Sequence, residues 1–96
     1  MARHICVSVV TRHRPLMLRK LFESFKRMRR PLEVTISFLI VENDPIQNLT
    51  ELVEALRTEM PRDQIIYRNE STVGISSARN HALEYALKNN FDYLII

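Results

Sequence analysis

Two runs of this chain are apolar on both faces. His4 to Val10, HICVSVV, and the end of Glu33 to Val41, EVTISFLIV, lack the polar alternation of a strand with one wet side. Strands of that kind sit inside a sheet covered above and below, the setting of parallel sheets with helices on each face. The segments between them supply the helices. Thr11-Arg12-His13-Arg14 is a polar loop, Pro15 suits a first helical position, and Leu18, Leu21, Phe22, Phe25 and Met28 recur at helical spacing in a helix predicted to end near Pro31. Glu42-Asn43-Asp44-Pro45 closes the second strand with turn chemistry. Asn48, with Glu51 three residues on, has the pattern of a capping box ahead of the stripe Leu49, Leu52, Val53, Leu56 and Met60.

Pro61-Arg62-Asp63 is a turn and Gln64 to Tyr67 a short third strand. Ile75, Ala78, Ala82, Leu83, Ala86 and Leu87 mark a third helix, with Ser76 or Ser77 as its cap and Asn89-Asn90 at its end. Phe91 to Ile96 begins a fourth strand. Alternating strands and helices predict an α/β fold of three layers, Rossmann-like, with a parallel sheet and right-handed crossovers. No repeat, linker or low-complexity stretch divides residues 1–96, which read as one domain.

Composition narrows the classes. With 46% hydrophobic and 26% charged residues, the chain has the make-up of a soluble globular domain, and no apolar run approaches the ~20 residues that span a bilayer. The single Cys6 has no partner, which fits a reducing cytoplasm and excludes a disulfide scaffold. Between Arg12 and Arg30, eight cations face only Glu23, so the remainder of a chain of net charge +3 is acidic. A basic element of that kind meets phosphates, an anionic membrane or an acidic partner, or is a solvated helix face.

The chain holds one glycine, Gly74, so neither GxGxxG nor a P-loop can form. His4, His13 and His81 lack zinc-ligand spacing, no Ser-His-Asp arrangement occurs, and Cys6 reads as a small core residue. Polar residues instead gather after the strands: Thr11, Arg12 and Arg14, then Glu42, Asn43 and Asp44, then Asn69 to Arg79. In open parallel sheets those ends converge on the ligand crevice. Asn43 can donate and accept as a pyrimidine edge requires, and an arginine can grip phosphate or stack on a base.

These segments resemble family 2 glycosyltransferases of the GT-A fold. VSVVTRHRPLMLRKLFESF is similar to that family's opening strand, Thr-Tyr-Asn-Arg-like loop and leucine-rich helix. LIVEND is similar to its Val-Val-Asp-Asn segment, NESTVGISSARNHAL to its Asn-x-Gly-x-(Ser/Ala)-x-Ala-Arg-Asn segment, and FDYLII to the strand that leads into the metal-binding Asp-x-Asp. The resemblance implies a sheet of order 3-2-1-4 with three helices, in which the helices after strands one and three are expected apart from the helix after strand two. It implies a nucleotide-sugar donor, a uridine one foremost, a saccharide or other hydroxyl acceptor, and Mg²⁺ or Mn²⁺ in the intact enzyme. Carried over by position, Thr11, Arg12 and Arg14 border base and ribose, Glu42 and Asn43 meet the base edge, and Gly74 frees the turn that aims Arg79 at the nucleotide. Arg12 stands in place of a tyrosine and Glu42 in place of an aspartate.

On this reading the chain is an N-terminal fragment that stops before Asp-x-Asp, with no catalytic or metal-ligating residue of its own and no transferase activity alone. Asp92 is then a strand-start residue rather than a metal ligand. The apolar end Leu94-Ile95-Ile96 is expected to need cover, which a homo-oligomer would supply. The expected location is the cytoplasm, with room for peripheral contact at an anionic inner membrane face. A second reading makes the chain a non-catalytic module binding RNA or an anionic membrane through Arg19 to Arg30, although Phe22 and Phe25 fall on the buried stripe rather than on a stacking face. Specific nucleic-acid recognition is not expected. A receiver-like α/β fold ranks last, because such domains carry acidic residues where Thr11-Arg12-His13-Arg14 stands.

Overall fold

The computed structural model describes residues 3–95. The elements run β1 (Arg3–Thr11), α1 (Pro15–Lys26), β2 (Val34–Glu42), α2 (Thr50–Glu59), β3 (Gln64–Asn69), α3 (Ile75–Lys88) and β4 (Tyr93–Ile95). The strands form one parallel sheet in the order β3-β2-β1-β4. The α/β class, the parallel pairing and the strand order are those the sequence predicts.

The register fixes where function can sit. β1 and β2 pair along their whole length, from Arg3↔Val34 to Thr11↔Glu42, and Glu42 in turn pairs with Asn69. Three strands therefore end flush, and their following loops lie side by side at one end of the sheet. β4 meets only the first half of β1, from Ile5↔Tyr93 to Val7↔Ile95. Asp92 locks that junction, accepting the His4 N–H at 2.7 Å and donating its own N–H to the His4 carbonyl at 2.8 Å. It is the strand-start residue expected.

Helix placement departs from expectation. α1 and α2 share one face of the sheet, where Leu18 and Phe22 pack with Phe38, Ile40, Val53 and Leu56. α3 lies on the other face, its Ala78 and Ala82 against Cys6, Leu39 and Val41. The reason is handedness. The crossovers β1 to β2 and β2 to β3 step in the same direction, so right-handed connections put both helices on one side. The step from β3 back to β4 runs in reverse and puts α3 on the other.

Burial of Phe22 and Phe38, both fully enclosed, contributes about 1.5–3 kcal/mol each. Their rings meet Phe25 in edge and stacked contacts. α1 stops at Lys26, short of the predicted end, and Met28 lies outside it. On α3 the alanines alone form the buried stripe; Ile75, Leu83 and Leu87 are 61%, 46% and 70% exposed. Leu83 and Leu87 are turned by helical geometry away from the alanine face, and Ile75 stands at the helix's first position, beyond the sheet. In β4, Leu94 packs beneath α3 while Tyr93 and Ile95 are about half exposed; Ile96 lies outside the described residues.

Candidate functional site

A crevice of about 540 Å³ opens at the carboxyl end of β1, between α1 and the start of α3. Thr11, Arg12, Arg14 and Asn43 supply its polar groups, and Val9, Met17, Leu21 and Ile75 its apolar walls. The position follows from topology: connections leave β1 and β3 in opposite directions, which opens the sheet at this point. Of the residues singled out in the sequence, Thr11, Arg12, Arg14 and Asn43 are brought together here. Gly74 immediately precedes the wall residue Ile75. Arg79 is exposed on α3 and does not line the crevice, and Glu42 points elsewhere.

Asn43 holds the site together rather than offering its amide to a base edge. Its Nδ2 donates to the carbonyls of Glu70 at 3.2 Å and Thr72 at 2.8 Å, and its Oδ1 accepts the Gly74 N–H at 2.9 Å. All the side-chain bonds are made inside the protein, at 5% exposure. Its backbone N–H donates to Thr11 O at 2.8 Å. Asn69 adds a second tie, donating to the carbonyls of Glu42 and Asp44. The three loops thus form one bonded assembly.

Gly74 is the N-cap of α3, with φ 145° and ψ 139°, a backbone region that only glycine enters readily. Ser76 and Ser77 lie within the helix instead of capping it. The capping box at Asn48 and Glu51 does not form either. Asn48 turns its amide to the carbonyl of Ile46, and the start of α2 is held by Glu42. That buried carboxylate accepts the Asn48 N–H at 2.9 and 3.1 Å and the hydroxyl of Tyr67, which itself accepts the Leu49 N–H. An anion from the neighbouring strand end meets the positive end of the helix, replacing a local cap. Burial first, and then the Glu42 carboxylate, push the Tyr67 phenol up to about 12. Glu42 is therefore a structural anchor, removed from the crevice.

Sequence spacing discounts His13 as a zinc ligand and gives it no other role. It takes a left-handed φ of 53°, and its Nε2 lies 2.7 Å from Asp44 Oδ2, with Arg12 Nε at 3.9 Å. Asp44 is buried and its other oxygen accepts the Ile46 N–H. The first loop thereby lies against the second, with Asp44 Oδ2 close to both side chains but hydrogen-bonded to neither. Nothing local announces this pair; it exists because Thr11 and Glu42 share a register position. Further along, His81 Nδ1 meets Glu70 at 3.1 Å while Arg68 donates to Nε2. The Thr72 N–H and then His81 hold the Glu70 carboxyl below the usual carboxylate range.

Among the described residues, no group of three His, Cys, Asp or Glu side chains could hold a metal ion. His13 and Asp44 are a pair with an arginine beside them. The residues present do not fit the Mg²⁺ or Mn²⁺ that the resemblance implies for the intact enzyme. Among the described residues, no helix is long and apolar enough to cross a membrane. Comparison with protein-family models, with curated proteins and with solved structures finds no match to this chain.

Proposed function

We propose that this chain is the nucleotide-binding part of a family 2 glycosyltransferase, taking a nucleotide-sugar donor, a uridine one foremost, for transfer to a saccharide or other hydroxyl acceptor. The observation that carries the reading is convergence. Three segments that resemble the family's motifs, far apart in sequence, meet around one crevice at the sheet's carboxyl end, joined through Asn43 and Gly74. In this reading a base lies against the apolar wall of Met17 and Ile75 with the Arg12 guanidinium over it, and Arg14 takes phosphate charge. Asn43 and Glu42 act indirectly, by fixing the loops and α2. The transfer step is assigned to none of these residues; it calls for a general base and for charge neutralisation on the leaving diphosphate. A cytoplasmic location goes with a donor of this class.

The rival, RNA or membrane binding through Arg19 to Arg30, has less support. Arg19 grips Glu59 through two bonds of 2.7 Å, Lys26 is held by Glu59 and Glu23, and Arg30 sits 3.1 Å from Asp63. Half the basic element is neutralised within the fold. The test is an NMR titration of isotope-labelled protein with UDP. The expected result is weak binding on the order of millimolar, worth about 4 kcal/mol, with amide shifts at Thr11, Arg12, Arg14 and Ile75 that Arg14→Ala removes. Shifts confined to Arg27 and Arg29, without base preference, would overturn the reading in favour of its rival.

A further inference from the structure

The end of the sheet that carries the crevice also carries an unusual surface. Leu16 is 82% exposed, Met17 60%, Ile46 68%, Val73 46% and Ile75 61%. Leu16 and Met17 open α1, Ile46 stands between β2 and α2, and Val73 and Ile75 lie at the entry to α3. All five come from segments that follow the flush ends of β1, β2 and β3. The hydrogen bonds of Asn43 and Asn69 tie these loops together, so the apolar side chains project from a fixed base.

Charge at this end has one dominant sign. Arg12, Arg14, Lys20 and Arg79 are exposed, and among the described residues Arg14, Lys20 and Arg79 have no carboxylate within 4 Å. Of the carboxylates in the three loops and the first six residues of the helices behind them, Asp44 is buried, Glu70 is held by His81, Glu54 is exposed but paired with Arg57, and Glu51 is exposed. Protruding apolar side chains beside unpaired cations match the two layers of an anionic bilayer surface: acyl chains below, phosphates above.

We infer that the carboxyl end of the sheet is a docking surface for an anionic lipid membrane, with Leu16, Ile46 and Val73, which stand outside the crevice, entering the headgroup boundary and Lys20 and Arg79 meeting lipid phosphates. Apart from Lys20, this surface is distinct from the basic stretch Arg19 to Arg30, whose exposed Arg27 and Arg29 precede the exposed Leu32 beyond the end of α1. It does not depend on the nucleotide reading, because Leu16, Ile46 and Val73 do not line the crevice. If both hold, the crevice opens toward the membrane.

Sedimentation with lipid vesicles, in the absence of nucleotide, tests the surface. The protein should pellet with vesicles of phosphatidylcholine containing about one-third phosphatidylglycerol and not with phosphatidylcholine alone. Leu16→Asp and Val73→Asp should each lower partitioning roughly tenfold, while Leu32→Asp should leave it unchanged. The chain has no tryptophan, so Leu16→Trp and Leu32→Trp give a second readout independent of the charged variants. Emission from the first should move to the blue on adding anionic vesicles, and emission from the second should not. No partitioning, partitioning lost through Arg27→Glu and Arg29→Glu instead, or equal sensitivity at Leu32 and Leu16 would each overturn the inference. A failed UDP titration with intact vesicle binding would sink the nucleotide reading alone.

Discussion

Asn43 and Gly74 are one device. The asparagine fixes both faces of its amide on residues 70–74, and the glycine adopts the one backbone geometry that lets the loop enter α3 there. A Cβ at Gly74 would meet nothing within 4 Å, so the cost of Gly74→Ala is conformational, about 1–3 kcal/mol. Asn43→Asp turns a donor facing two carbonyls into an acceptor and should cost at least as much. Urea denaturation checks both; a variant as stable as the parent would remove the device. The special position of Gly74 was legible from its being the only glycine. The bonds of Asn43 were not, since their partners lie 27 to 31 residues on and no local pattern encodes them. The turn chemistry of Asn48 and Ser76 suggested caps that near neighbours supply instead, the Glu42 carboxylate from the end of β2 and Gly74, because where the strand ends decides which group reaches the helix.

At the scale of elements, α1 and α2 are clasped by Glu59. Arg19 and Lys26 reach it from one helix face, and their hydrogen bonds hold its carboxyl down from the ordinary 4.5 to about 2. A depressed carboxylate stabilises the fold above its unfolded-state value and ceases to do so as the pH falls through the folded one. The wild type should therefore lose stability across the window from 4.5 down to about 2, and Glu59→Gln should flatten that loss. The group is solvent-exposed, so salt should weaken the effect. Parallel acid limbs in the two proteins would mean that the clasp does nothing for stability. The strength of the basic stretch was plain in the sequence; that half of it is satisfied internally depends on α1 and α2 sharing a face. The sequence also overrated α3, where Leu83 and Leu87 fit a helical period but not the side that packs. Small alanines carry that contact because they bring a helix close to a sheet.

Taken whole, the molecule follows from continuous apolar strands alternating with amphipathic segments, which is why class and parallel pairing could be read in advance; the strand order came with the resemblance. Which helix covers which face required the direction of each crossover as well. Within the sheet β4 pairs with β1 alone, through three residue pairs and the Asp92 lock, with Leu94 packed beneath α3. Hydrogen exchange should find the amides of Tyr93, Leu94 and Ile95 opening well below the free energy of global unfolding, with those of β2 at the global limit. Asp92→Ala should speed β4 exchange and leave β2 rates nearly unchanged; uniform acceleration would place β4 inside the main cooperative unit.

The middle position of β1 carries a cost during synthesis. β1 leaves the ribosome before either neighbour: β2 follows after one helix, and β4 is offset from β1 by 88 residues. Until that last partner arrives, a strand apolar on both faces waits with an open edge. Loop closure over such a span is slow and exposes apolar surface while it is pending. The nascent chain should therefore be a better customer for a chaperone than the finished fold, and slowed translation between α3 and β4 should raise the aggregated fraction rather than the folded one.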